Sequence, residues 1–298
     1  MNLQVRPLRF EFQARDAILF PPGKAANIFR GAFGDIFRRT AETSDYARMF
    51  EPRSPTPQSG ASGFRDRPRP FVLRAAPLDG RRFEAGERFA LEVNVFDPEV
   101  PALDYFTRSF EQLREEGLGP GRPRVDLRAA SELPRVTADL TPREVSVSKI
   151  TVDFLTPTEL KCNGETLREA PFDVLLRRTR DRVSGLIGLY QNASESVDFR
   201  GLGERANAIR LTAARFDQHE YERRSSRTGQ RHSLGGFTGE AEYEGELAEF
   251  LPWLEAAAWT GVGRLTVWGN GMIRTTFEPR FPGGSGGICE PPNRPKRA

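Results

Sequence analysis

The chain has 298 residues, 38% of them hydrophobic and 29% charged, which suits about two domains and excludes a wholly disordered protein. A formal charge of +3 neither demands nor excludes a polyanionic partner. Two cysteines (Cys162, Cys289) and two histidines (His219, His232) are too few for a disulfide framework or a four-ligand zinc site, so neither metal nor cofactor is expected.

Residues 1–20 carry Arg6, Arg9, Glu11, Arg15 and Asp16, leaving no apolar stretch for a secretory signal. Nowhere is an apolar run long enough to span a membrane; Ala256-Ala257-Ala258-Trp259 is among the longest. A cytoplasmic location and no membrane partner are the expectations.

Residues 3–12 predict a strand with Phe10 and Phe12 on one face. Lys24 to Arg39 follows Pro21-Pro22-Gly23 and spaces Ile28, Phe29, Ala32, Phe33 and Ile36 as a helix does. Residues 51–70 hold five prolines, Gly60, Gly63 and three serines, a mobile-loop composition. Strand signals resume at Phe71–Leu73 and at Phe89, Leu91, Val93 and Val95. Leu103, Phe106, Phe110 and Leu113 mark an amphipathic helix stopped by Gly117, and a weaker strand follows at Arg124–Leu127. The order is β-α-β-β-α-β.

The second half repeats it. Ile150, Val152 and Phe154 alternate as a strand, and a helix is predicted from Phe172 to Tyr190. Strands are predicted near 208–217 and 235–243, a helix from Glu246 to Trp259, and closing segments at Leu265–Val267 and Met272–Phe277. The second helix of each half runs into a Gly-x-Gly: Gly117-Leu118-Gly119, then Gly261-Val262-Gly263. These features predict an α+β duplication, two ferredoxin-like (RRM-like) domains at 1–140 and 146–278, with a disordered tail at 279–298.

Two constellations suggest nucleic-acid chemistry. The first runs from Gly261 to Gly271. Its four glycines (Gly261, Gly263, Gly269, Gly271) would leave backbone N–H groups uncovered for a phosphodiester, Arg264 adds charge, and Trp268 offers a stacking surface. The same glycines also suit a helix cap and an Asn270-Gly271 hairpin turn. The second is Arg223-Arg224-Ser225-Ser226-Arg227-Thr228-Gly229-Gln230-Arg231-His232, a basic loop with neutral hydroxyl donors. It equally suits a solvated hairpin. Only Lys24, Lys149, Lys161 and Lys296 are lysines, so arginine supplies almost all the positive charge, as a GC-rich genome or a bidentate phosphate grip would each produce.

No Ser-His-Asp spacing, His-Glu-x-x-His motif or two-metal carboxylate cluster is present. If RNA is cut, the route that fits best is attack by its own 2′-hydroxyl, leaving a 2′,3′-cyclic phosphate and a 5′-hydroxyl. His232, inside the basic loop, is then the better proton carrier; His219 reads as structural.

Five segments carry a resemblance: Ile28-Phe29-Arg30-Gly31-Ala32-Phe33-Gly34; Tyr46-Ala47-Arg48-Met49-Phe50-Glu51-Pro52; Arg69-Pro70-Phe71-Val72-Leu73; Phe154-Leu155-Thr156-Pro157-Thr158; and Leu234-Gly235-Gly236-Phe237-Thr238-Gly239-Glu240 running on to Gly271. In this order they resemble the CRISPR-associated endoribonucleases that process precursor crRNA, the RAMP-superfamily branch with a conserved C-terminal domain. The resemblance implies tandem ferredoxin-like domains and an RNA-contacting glycine-rich loop at 261–271. It also implies metal-independent cleavage of CRISPR repeat RNA into guides for an antiviral effector complex, whose subunits become expected partners.

The chain departs from that pattern twice. Many such relatives place a catalytic His in or just after the first helix, where this chain offers Lys24, Arg30, Arg38 and Tyr46 instead. A cysteine cluster before the Phe-Glu-Pro is replaced by Thr43-Ser44-Asp45. Lys24 and Tyr46 therefore join His232 as candidate catalytic groups, and Arg30 joins the RNA-binding set. A cleavage-inactive crRNA-binding subunit is the alternative; a generic single-strand RRM is disfavoured because neither half shows an aromatic-rich sheet signature.

Overall fold

The computed structural model describes residues 1–52, 67–191, 197–220, 222–224, 231–233 and 235–277. The tail expected to be disordered, Arg227, and most of the proline-rich 51–70 loop lie outside the described residues.

The N-terminal half begins with β1 (Asn2–Ala14), β2 (Ile18–Leu19), α1 (Ala25–Thr40) and α2 (Thr43–Phe50). It continues through β3 (Phe71–Arg74), β4 (Arg82–Phe83), β5 (Arg88–Val95), α3 (Ala102–Glu111), α4 (Leu113–Glu116), β6 (Val125–Glu132) and β7 (Val136–Asp139). Its sheet is antiparallel in the order β3-β5-β1-β6, with β7 also on β1. Even-numbered Leu8, Phe10 and Phe12 of β1 face α1 and α3, where Phe33 stacks on Phe106 with ring centroids 4.0 Å apart. Each such ring, fully buried, contributes about 1.5–3 kcal/mol relative to exposure.

The C-terminal half has β8 (Lys149–Thr158), the ribbon β9 (Lys161–Cys162) and β10 (Glu165–Thr166), α5 (Phe172–Tyr190) and α6 (Phe199–Ala206). There follow β11 (Arg210–His219), the ribbon β12 (Glu222–Arg224) and β13 (Arg231–Ser233), β14 (Gly236–Glu244), α7 (Leu251–Thr260) and β15 (Ile273–Phe277). Its sheet runs β11-β14-β8-β15. Counting only the four main strands of each half, both sheets place the second strand at one edge, then the third, first and fourth. This is the ferredoxin-like order, present twice. Two expected elements differ. Pro252 falls in the first turn of α7, and the chain enters it through a 3-10 turn at Ala248–Phe250 rather than as a helix from Glu246. The closing segment at Leu265–Val267 is no strand, because Thr266–Trp268 forms a 3-10 turn after a left-handed Leu265.

Strand parity also joins the halves. Odd-numbered Leu3 and Val5 of β1, Val72 of β3 and Phe96 after β5 turn away from α1 and enter the C-terminal core beside α5 and α7. Polar bonds reinforce the contact. Arg74 donates to Ala258 O (2.6 Å), Asn94 to Trp259 O (2.9 Å), and Tyr190 Oη to Pro68 O (2.8 Å). Within the C-terminal half, Arg182 of α5 donates to Thr260 O (2.7 Å).

Candidate nucleic-acid interface

The glycine-rich loop starts where α7 stops, and it is folded inward. Gly261, Gly263, Gly269 and Gly271 are all buried. Val262 N–H donates to Gly271 O (2.8 Å), closing the loop's neck, while Gly271 N–H donates to Pro157 O and Arg264 N–H to Glu159 O. Gly261 and Gly269 also donate within the protein, to Ala257 O and Thr266 O. This corrects two expectations. The N–H groups of Gly261, Gly269 and Gly271 are spent internally rather than left open to a phosphate, and Asn270-Gly271 is not a hairpin turn.

Gly263 and Gly269 are among the glycines that close approach requires. Gly263 has φ +77°, and a Cβ there would lie 2.4 Å from Glu159 O. Gly269 has φ +82°, and its Cβ would meet the Ala26 methyl of α1 at 2.5 Å. Between them, Val267 and Trp268 pack on the N-terminal core. The loop is thus seated across the domain boundary, on the first turns of α1.

That seat brings some candidates together. Lys24 is the N-cap of α1, two residues before Ala26, and partial burial lowers its pKa from the ordinary lysine value. The α1 N-terminus itself is held by Asp79, whose carboxylate accepts from Ala25 N–H at 2.9 Å and whose pKa burial raises. Arg30, one turn further along than Ala26, lies over the Trp268 ring at 4.7 Å and over Phe50 at 5.6 Å. One face of the Trp268 ring thus carries a guanidinium.

Tyr46 is set apart. It packs against Phe50 (5.1 Å) and Phe37 (6.4 Å). Phe37 lies thirteen residues after Lys24, about 20 Å along the helix axis. Lys24 and Tyr46 therefore do not address one phosphate together.

Strand register places the basic ribbon. β12 pairs with β13, Arg223 opposite His232 and Arg224 opposite Arg231, and the ribbon prolongs the β11–β14 pair beyond His219 opposite Gly236. That is the end of the sheet where Phe237 pairs with Thr158, and where a Cβ on Gly236 would lie 2.6 Å from the Thr158 carbonyl. The next residues on β8's course, Glu159 and Leu160, hold Gly263 and Arg264. The ribbon's base and the glycine-rich loop thus leave the same end of one sheet, a single strand apart.

At that end Arg264 is half exposed and donates to Glu159 Oε1 (2.8 Å), a carboxylate almost wholly buried and 3.6 Å from Lys161 Nζ. Glu159 escaped the sequence reading, since a single Glu after a strand carries no pattern. His219 Nε2 lies 2.6 Å from Thr238 Oγ1, on the outer face of the sheet. That face is carboxylate-rich and charge-paired: Arg210–Glu244, Lys149–Glu242 and Arg274–Asp153 lie at 2.8–3.1 Å. It offers no row of aromatic rings for stacked bases.

Among the described residues, no group of three or more His, Cys, Asp or Glu side chains could hold a metal ion, and no helix is long and apolar enough to cross a membrane.

Comparisons with known proteins bear on the fold that carries this site. Residues 3–151 match a family model described as an N-terminal domain (AF_1859_N), and residues 152–273 match that of the CRISPR-associated endoribonuclease Cas6. Thermus thermophilus Cas6 (TTHB231) superposes with a TM-score of 0.55 at 16% identity, over 92% of this chain and 99% of that one. Cas6 (TTHB231) in a product complex gives 0.60 at 19%, over 91% and 99%. Cas6 (TTHA0078) in a product complex gives 0.54 at 16%, over 92% and 99%. At such identities the superpositions establish a shared fold. No curated protein sequence matches the chain.

Proposed function

We propose that the chain, whose residues 152–273 match the model of the CRISPR-associated endoribonuclease Cas6, binds CRISPR repeat RNA and cleaves it in the cytoplasm to release guide crRNA. One observation carries the reading. The glycine-rich loop and the arginine-rich ribbon rise from the same end of the C-terminal sheet, and the loop rests on the α1 N-terminus that carries Lys24. A repeat stem-loop laid over that end meets Arg264, the ribbon residues Arg223, Arg224 and Arg231, and the glycine-lined loop on one side, with Lys24 and Arg30 opposite; Arg227, outside the described residues, is proposed as a further RNA contact on sequence grounds alone.

The reaction is transesterification within the RNA. The 2′-hydroxyl attacks the adjacent phosphorus as the 5′-oxygen departs, giving a 2′,3′-cyclic phosphate and a 5′-hydroxyl. Guanidinium and ammonium groups stabilise the charge that accumulates on the phosphorane. Lys24, its ammonium acidified by partial burial, is the proposed proton donor to the leaving oxygen. His232, on the ribbon, is the proposed acceptor of the 2′-hydroxyl proton. Tyr46 stays a distant third candidate because α1 holds it away from Lys24. The released guide would pass to effector-complex subunits.

The test is incubation of the protein with end-labelled repeat transcript in excess EDTA, with the new ends identified. A 2′,3′-cyclic phosphate and a 5′-hydroxyl support the enzyme. Tight binding without cleavage assigns the retained-subunit reading, and no binding refutes both.

A further inference from the structure

The last three carbonyls of α7 are each taken by a side chain from a different element, two of them from across the domain boundary. Arg74 Nη1 of β3 donates to Ala258 O at 2.6 Å, Asn94 Nδ2 of β5 to Trp259 O at 2.9 Å, and Arg182 Nε of α5 to Thr260 O at 2.7 Å. A helix C-terminus leaves these acceptors without intrahelical donors and carries about half a negative charge. Guanidinium groups satisfy both needs at once. Asn94 is 1% exposed and Arg182 6%. The two arginines meet carbonyls rather than carboxylates, and burial pushes the Arg182 pKa down to about 9. Keeping a charge there is costly unless the helix end requires it.

The next residue is Gly261, the first of the glycine-rich loop, so whatever fixes these carbonyls fixes the loop's origin. We propose that Arg74, Asn94 and Arg182 are positioning residues that aim the glycine-rich loop at α1 across the domain boundary, Arg74 and Asn94 from the N-terminal sheet and Arg182 from within the loop's own domain. The loop's seat on Ala26 and the clamp on α7 are then two ends of one device. If either gives way, Arg264 and Lys24 no longer face the same phosphate. The functional half of this inference rests on the proposed RNA-binding role of the loop; the mechanical half does not.

The test therefore reads the loop without RNA first. In the full chain, amide hydrogen exchange is followed at Val262, Arg264, Trp268 and Gly271, whose N–H groups are bonded within or beneath the loop, and at the β8–β14 ladder as an internal reference. Asn94→Ala and Arg182→Lys should each raise exchange in the loop about tenfold while the ladder stays within about twofold. Repeat RNA should then bind more weakly with an unchanged salt slope, since no phosphate contact is removed. Arg74→Lys should be milder than Arg74→Leu. Unchanged loop exchange in both Asn94→Ala and Arg182→Lys overturns the proposal, as does a uniform rise across loop and ladder, which would mark a merely structural bond. Faster loop exchange with unaltered RNA affinity keeps the mechanical device and refutes the loop as the RNA surface.

Discussion

Gly269→Ala probes the seat of the loop most sharply. With φ at +82°, any L side chain pays about 1–2 kcal/mol for left-handed backbone. The new methyl would also start 2.5 Å from the Ala26 Cβ, where neither atom belongs to a flexible chain end, so α1 or the loop must shift. Overpacking of that kind adds about 1–3 kcal/mol. The total, about 2–5 kcal/mol, is a large part of a typical stability of about 5–15 kcal/mol. Gly86→Ala is the control. Its φ is +91° and an added Cβ meets nothing within 4 Å, so it carries the backbone cost alone. Urea unfolding followed by circular dichroism and by tryptophan emission measures both variants. The reasoning predicts that Gly269→Ala loses roughly 1–3 kcal/mol more than Gly86→Ala, and that the surplus vanishes when Ala26 is changed to Gly in the same chain. Equal losses for the two glycines would refute the seat of the loop on α1.

Arg264→Ala should weaken repeat-RNA binding and lower the slope of log affinity against log salt by about 0.7–0.9, one phosphate contact's share; Glu159→Gln, which removes the carboxylate competing for that guanidinium, should tighten binding. Filter-binding titrations between low and moderate salt check both. Lys24→Ala and His232→Ala should each cut single-turnover cleavage at least about tenfold with affinity little changed, whereas Tyr46→Phe should leave the rate alone. A slow Tyr46→Phe variant would mean that the RNA reaches the far end of α1. Asp16 supplies a pH prediction. Bonds from the Arg124 side chain and backbone N–H hold its carboxyl down to about 2, against 3.8 unperturbed. A lowered carboxyl pKa stabilises the fold above the unfolded value, so Asp16→Asn should be less stable than the parent near neutrality. The gap should close as pH falls from about 4 towards 2, and a gap constant across that window would contradict the pairing.

How much of this could be read from the sequence depends on whether the determinant is local. Phe10 and Phe12 on one side of a strand, or Leu103, Phe106 and Phe110 down one side of a helix, announce their elements by period alone, and both β-α-β-β-α-β units follow. Helix α2 has apolar residues only at Tyr46, Ala47, Met49 and Phe50, too short a run for a helical period to emerge. Helix α6 is interrupted by Gly201 and Gly203, each costing about 1 kcal/mol against alanine, and is held instead by Asp198 accepting from Gly201 N–H. The loop at 261–271 misleads for a different reason. Glycine-rich composition reads as open backbone, but here the missing Cβ atoms let Ala26 and Glu159 come close, and both contacts are remote in the chain. The clamp on α7 is invisible for the same reason, since Arg74, Asn94 and Arg182 form no motif until the domains dock. Strand pairing, by contrast, needed only a register to bring the ribbon of Arg223 and Arg231 to the loop's end of the sheet.

The central claim is that one end of the C-terminal sheet, with the α1 N-terminus beside it, receives the RNA. Hydrogen-exchange footprinting of the protein with and without repeat transcript tests it directly. The account predicts protection concentrated at residues 222–233, 261–271 and the first turn of α1, with the outer face of β11, β14, β8 and β15 unchanged. Protection on that outer face, with the ribbon and the loop exchanging as before, would contradict it.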